Sequence, residues 1–229
     1  MLSVVIPCRN EEGSLGRYEA ELYPALDALG ESYEIIAVDD GSSDGTRAAL
    51  EALSRRKPLR LLIHERNRGL GAALRTGFSA ARGDWIAALD ADLTFHPRHL
   101  AALLARQRET GADLVAGAPF EARDSSVPWP LRLPSLMINA FYRGLFAHSF
   151  SSYTPMFRLY RKAALSTIDL KSEDFQISAE IAARFIKKGF RLAETPVPLT
   201  TRREGSSKLR RWRELKHHAA LIVRLLVLS

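Results

Sequence analysis

Short apolar runs alternate with helical patterns through the first half of the chain. The runs Ser3–Pro7, Tyr33–Val38, Leu59–His64, Trp85–Leu89 and Asp113–Gly117 are rich in Val, Ile, Leu and Ala. Their continuous hydrophobicity fits strands buried on both faces of a parallel sheet. Between them, Glu11–Leu29, Thr46–Arg56, Gly69–Ala81 and Pro97–Thr110 carry helical spacing. Strands alternating with helices predict an α/β fold: a right-handed, mostly parallel, Rossmann-like sheet flanked by helices.

After Gly117 the alternation breaks. Pro119 to Pro134 reads as a loop rich in Pro, Ser and charge, and Arg132–Phe150 as a broad apolar stripe with Arg132 and Arg143 beside it. Tyr153–Tyr160 predicts a further strand, Ser178–Lys188 a helix ending at Gly189, and Arg191–Pro196 a short edge strand halted by proline. Lys208–Leu228 reads as a basic amphipathic helix. These stretches divide the chain into a main domain over 1–205 and a basic loop with a C-terminal helix over 206–229.

Charge narrows the ligand class. A formal net charge of +7 over 229 residues points to an anionic partner, such as a nucleotide, a lipid phosphate or a membrane surface. Nucleic acid is disfavoured, because the basic residues are not interleaved with a platform of stacking aromatics. The one cysteine, Cys8, excludes an internal disulfide framework and fits a reducing compartment; it reads as a small buried residue at a strand end rather than a nucleophile. The N-terminus reads as a strand rather than a signal peptide, and no run approaches the roughly 20 apolar residues that span a bilayer. A cytoplasmic protein, peripheral on a membrane, is the expectation.

Ligands of open α/β sheets bind beyond the carboxyl ends of the strands. Four polar loops fall there: Pro7–Glu11, Asp39–Gly45, Asn67–Gly71 and Asp90–Asp92. In Trp85-Ile-Ala-Ala-Leu-Asp90-Ala-Asp92 an apolar strand delivers two carboxylates two residues apart. Such a pair suits Mg²⁺ or Mn²⁺, which takes one or two carboxylates together with substrate phosphates. The competing reading is an acidic turn with Asp92 or Thr94 as N-cap of the following helix. In the second loop Asp44 or Ser43 reads as the N-cap of its helix, and having both Asp39 and Asp40 goes beyond capping.

These loops resemble the family 2 glycosyltransferases of GT-A fold. The matches are Pro7–Glu11, Val38-Asp39-Asp40-Gly41-Ser42-Ser43-Asp44-Gly45-Thr46, Asn67-Arg68-Gly69-Leu70-Gly71-Ala72-Ala73 and Asp90-Ala91-Asp92, in the family's order. By that resemblance Pro7, Arg9, Glu11, Val38 and Asp40 hold the base and ribose of a nucleotide sugar, linked through GDP or UDP. Asp90, Ala91 and Asp92 hold the diphosphate, with Asp90 and Asp92 as metal ligands.

The second half resembles the dolichyl- or polyprenyl-phosphate mannosyltransferases. The matching stretches are Trp129–Ser135 with Asn139, Phe157–Arg161, Gly189–Pro198, and Arg202-Arg203-Glu204-Gly205-Ser206-Ser207-Lys208. The resemblance implies that Arg132, Ser135, Arg202 and Lys208 bind the acceptor phosphate, with Asp92, Arg132 and Lys208 in the catalytic set. The chain departs from the pattern at Leu93-Thr94, where Gln often supplies a further ligand, at Pro119, and at Pro155-Met156.

The implied reaction is an inverting, metal-dependent transfer of a hexose such as mannose to a polyprenyl phosphate. A phosphate monoester, with its second pKa near 6, is largely ionised at neutral pH, so no strong base is required. A saccharide hydroxyl would require one, and Glu173, Asp174 and Glu180 are the candidates. Glu180 otherwise reads as part of an exposed helix face. Membrane binding through Leu136–Phe146 and the C-terminal helix competes with simple coverage of the sheet, and a membrane-anchoring partner protein is compatible with either. A non-catalytic nucleotide-sugar-binding subunit is the remaining alternative, against which the Asp90/Asp92 pair and Lys208 argue.

Overall fold

The computed structural model describes residues 1–119, 139–146, 150, 152–198 and 221. Seven strands form one sheet: β1 (Leu2–Cys8), β2 (Tyr33–Asp40), β3 (Arg60–His64), β4 (Trp85–Ala88), β5 (Leu114–Pro119), β6 (Arg158–Arg161) and β7 (Leu192–Val197). Their order is β3-β2-β1-β4-β6-β5-β7. All pairs are parallel except those of β6, which runs antiparallel to both β4 and β5. The expected mostly parallel α/β sheet is therefore present, with one reversed strand set into its middle.

Helices α1 (Glu12–Leu15), α2 (Tyr23–Asp27), α3 (Thr46–Arg56), α4 (Leu70–Ala80), α5 (Leu100–Thr110), α6 (139–146), α7 (Lys162–Leu165) and α8 (Ile177–Lys187) complete the described elements. Side chains alternate along β1, so Val4 and Ile6 join one core layer with Leu26, Leu50 and Leu103. Val5 joins the other layer with Val38, Leu74, Phe78, Ile181 and Phe185. Leu221 is buried in this second layer at 1% exposure. Cys8 is buried at the end of β1, as expected.

Three elements differ from their sequence patterns. The single helix expected over Glu11–Leu29 is α1, a π-helical turn at Tyr18–Leu22, and α2. Pro24 has no N–H to bond the carbonyl four residues earlier, and at this point the hydrogen bonding widens, with the Tyr23 amide donating to the Tyr18 carbonyl. The strand over Tyr153–Tyr160 contracts to Arg158–Arg161. β7 runs on through Pro196 to Val197, which an edge strand paired only with β5 permits.

Candidate active site

The carboxyl ends of β1 and β2 are fastened to each other by short polar side chains. Asn10, in the left-handed region at φ 54°, accepts from the Ser43 amide at 2.8 Å, and its own amide donates to the Ser42 hydroxyl at 3.0 Å. The Glu11 amide donates to the Thr46 hydroxyl at 2.8 Å, and Glu12 accepts from the Gly45 amide at 3.0 Å. Asp44 accepts from the Thr46 amide and hydroxyl at 3.0 and 2.5 Å. The N-cap of α3 is Gly45, with no side-chain bond of its own, not Asp44 or Ser43 as expected; Asp44 closes the first turn from one residue further out. Burial pushes the Asp44 carboxyl up, but the bonds from Thr46 and Glu12 outweigh it and hold it below the usual aspartate value.

The paired aspartates divide into two roles. Asp39 is fully buried; one oxygen accepts from the Ser42 amide at 3.1 Å and the other from Arg47 Nε at 2.9 Å. Asp40, 3% exposed, accepts from the Arg68 amide at 2.9 Å, the Gly69 amide at 2.8 Å and His64 Nδ1 at 2.7 Å. The far nitrogen of His64 meets the Thr76 hydroxyl at 2.9 Å. Asp40 therefore fixes the Asn67–Gly69 loop to the end of β2. His64 is a part of this site that the motifs did not flag; its position at a strand end, level with Asp40, was the available signal.

Asp90 and Asp92 lie half-buried just beyond β4. Leu93 takes a left-handed φ of 51°, a conformation costing a non-glycine residue about 1 kcal/mol. Its side chain is fully buried in the core, and its amide donates to the Asp90 carbonyl at 3.0 Å. Core burial thus holds the tight turn that sets both carboxylates at the rim. Asp92 Oδ1 accepts from the Thr94 amide at 3.0 Å and hydroxyl at 2.6 Å, while Arg17 and Tyr18 donate to the carbonyls of Asp92 and Ala91. The helix-capping alternative fails: the next turn begins at Pro97, and His96 caps it.

A loop from the second half closes on this rim. The Gly71 amide donates to the Glu173 carbonyl at 2.7 Å. A Cβ on Gly69 would stand 2.3 Å from the Glu173 carbonyl oxygen and 3.7 Å from Asp174 Oδ1; one on Gly71 would stand 2.2 Å from the Ser172 oxygen. Only glycine allows this approach, and it brings Asp174 beside the loop that Asp40 holds. Glu180 is not on an exposed face: it is fully buried, accepting from the Lys171 and Ser172 amides and from Arg184 Nε at 2.9 Å. It pins the 171–174 loop, and burial removes it from the base candidates.

The structure thus brings the Pro7–Glu11 loop, Asp40, Asp90 and Asp92 to one rim, with Arg9 exposed and Pro7 and Glu11 half-buried. Val38 is different: its side chain is fully buried in the core layer under α4. Arg132, Ser135, Arg202 and Lys208 lie outside the described residues. Two carboxylates match the donor set of a divalent ion that takes its other ligands from phosphate and water, and no cluster of three or more His, Cys, Asp or Glu able to hold a metal occurs among the described residues.

Comparison with known proteins bears on the family and the fold. A family model described as glycosyl transferase family 2 matches residues 3–169. The chain is 32% identical over 209 residues to the undecaprenyl-phosphate 4-deoxy-4-formamido-L-arabinose transferase of Edwardsiella ictaluri (strain 93-146), covering 90% of this chain and 62% of that protein. It therefore spans about three fifths of that relative's length. Among solved structures, glucosyl-3-phosphoglycerate synthase from Mycobacterium tuberculosis, in complex with Mn²⁺, UDP and phosphoglyceric acid, aligns at TM-score 0.71 and 20% identity, over 99% of this chain and 77% of that one. S. aureus TarS 1–349 in complex with UDP aligns at TM-score 0.62 and 18% identity, over 97% and 65%. At these identities the two structures establish the shared fold.

Proposed function

The chain belongs to glycosyl transferase family 2, and from that premise we propose that it transfers a sugar, with inversion, from a nucleoside-diphosphate donor to a polyprenyl phosphate. The observation that carries the proposal is the convergence on one rim of the Asp40-held loop and the Asp90/Asp92 turn. In this reading Arg9, Glu11 and Asp40 hold base and ribose, with Pro7 and Val38 shaping their seat. Asp90 and Asp92 face the diphosphate and would hold Mg²⁺ or Mn²⁺, which supplies Lewis-acid stabilisation of charge on the leaving diphosphate.

The acceptor is assigned by chemistry and by likeness. A phosphate monoester with a second pKa near 6 needs only positioning and electrostatic support to attack an anomeric carbon. Arg132 and Ser135 bind that phosphate and Arg202 and Lys208 close over it; the Edwardsiella relative is named for an undecaprenyl-phosphate acceptor. Mannose or a similar hexose is the sugar class. No helix among the described residues is long and apolar enough to cross a membrane. Peripheral attachment at the cytoplasmic face, through the basic and apolar stretches or a membrane-anchoring partner, suits a lipid acceptor; Phe141, 51% exposed on α6, is one such apolar residue.

The deciding assay is metal-dependent release of nucleoside diphosphate from a panel of nucleotide sugars, with polyprenyl phosphate present or omitted. Release that needs the lipid phosphate is the expected result; no release from any donor overturns the proposal. A second reading, transfer to a saccharide hydroxyl with Asp174 as base, is favoured by the closeness of Asp174 to Gly69. Glu173, exposed in the same loop, is the other candidate base. Asp174→Asn separates the two acceptors: an unimpaired variant supports lipid phosphate, and severe loss of turnover with normal donor binding supports a hydroxyl.

A further inference from the structure

We infer that His64 is a positioning residue that limits Asp40 to one further hydrogen bond and so selects a uracil-bearing donor over a guanine-bearing one. The inference rests on the nucleotide-sugar reading and deepens it. An ionised carboxylate has roughly four acceptor directions, two on each oxygen. Asp40 Oδ1 already receives the Arg68 amide and His64 Nδ1, and Oδ2 receives the Gly69 amide. One direction remains, on Oδ2.

The neighbouring carboxylate offers no substitute. Asp39 is fully buried, with one oxygen on the Ser42 amide and the other on Arg47. The hydrogen-bonding edges of the two bases differ in the feature that matters. Uracil presents a single imino N–H between two carbonyl acceptors. Guanine presents two parallel donors, N1–H and the exocyclic amine, which engage a carboxylate best when both oxygens are open. With Oδ1 saturated, the single-donor edge is matched and the double-donor edge is left with one donor unpaired. An unpaired buried donor is the strongest available source of discrimination between such ligands.

The imidazole is held at both ring nitrogens, and its backbone carbonyl at a third point. With the Asp40 carboxylate as acceptor, Nδ1 carries the proton, and Nε2 lies 2.9 Å from the Thr76 hydroxyl. The His64 carbonyl accepts from Arg47 at 3.2 Å, the same guanidinium that pairs with Asp39. At 6% exposure the ring cannot swing into solvent without breaking this set. His64 acts through Asp40 and does not itself reach the rim.

The test is calorimetric titration of the full chain with UDP and with GDP, each with Mg²⁺, for the wild type and for His64→Leu and His64→Asn. Wild type is expected to bind UDP at least about tenfold more tightly than GDP, the effect of one poorly paired donor. His64→Leu reopens Oδ1, and the ratio should fall toward one. His64→Asn supplies an amide N–H close to where Nδ1–H stood, and should keep the preference. Where a melting curve shows that the leucine variant has not folded, Thr76→Val takes its place, and a lowered ratio is again expected. Equal or tighter binding of GDP by the wild type overturns the inference, as does a ratio unchanged in the folded leucine or valine variant. Binding of neither diphosphate overturns instead the nucleotide-sugar reading beneath it.

Discussion

The rim of β1–β3 and the wall built around β6 are held together by different groups. At the rim, Asn10, Thr46, Asp40 and Asp44 bond backbone amides and hydroxyls, three of them on other loops. At the wall the ties are made by charged, buried side chains. Arg158, fully buried, donates to the carbonyls of Ser178 and Ser152 and sits with its guanidinium 5.9 Å from the Phe150 ring centre. Glu180 pairs with Arg184 at 2.8 Å and gathers two loop amides. Tyr142 and Tyr153 stack at 5.1 Å above the same strand region. The rim gathers its loops largely through backbone amides, whereas losing one partner at the wall leaves a buried ion unpaired, at a large penalty.

Each substitution below tests one side of that contrast. The largest effect belongs to Asp92→Ala. Its carboxylate faces solvent in part and is bonded locally to Thr94, so thermal unfolding should shift little, while turnover falls about a thousandfold, as when one preorganised electrostatic contact to the transition state is removed. Retained turnover would sink the diphosphate assignment of the pair.

Glu180→Ala comes next and reads stability instead of chemistry. Removing a fully buried carboxylate strands Arg184 and the Lys171 and Ser172 amides, at a cost of about 3 kcal/mol. Urea unfolding measures this; a loss below about 1 kcal/mol would show that the wall does not depend on its ions.

Gly71→Ala probes where the two regions touch. The added methyl would stand 2.2 Å from the Ser172 carbonyl oxygen, so the 172–174 loop must retreat, with about 2 kcal/mol of destabilisation and a weaker nucleotide seat. Unchanged melting and unchanged donor affinity together would separate the loop from the rim.

The smallest effect is a pH dependence at the rim. The folded Asp44 carboxyl titrates below its ordinary value. Its contribution is therefore present above the unfolded aspartate pKa of about 3.9 and fades as pH falls through the lower folded value. Asp44→Asn should flatten the acid limb of the stability curve below about pH 4, and an unaltered limb would remove Asp44 from the account.

The rim was legible in the sequence because its parts are local. Thr46–Arg56 forms a helix over those same residues, and each polar loop follows the apolar strand that predicted its place. Glu180 was misread because Glu and Arg four apart on a helix look like an exposed pair, while the Lys171 and Ser172 amides that bury it come from a separate loop. The role of His64 was missed for the same reason: beyond its place level with Asp40, its partners are Asp40 and Thr76, on two other elements. The π-helical turn before Pro24 needs a hydrogen-bond shift that periodicity does not encode.

The reversed strand β6 bears on how such a molecule can change over time. Residues from β1 through β4 complete their sheet pairing among themselves, in the order β3-β2-β1-β4. The later strands join this sheet through one antiparallel seam, with Ala88 opposite Arg158 and Trp85 opposite Arg161. A change in β6 is therefore felt on both sides at once, through its pairing with β4 along one edge and with β5 along the other.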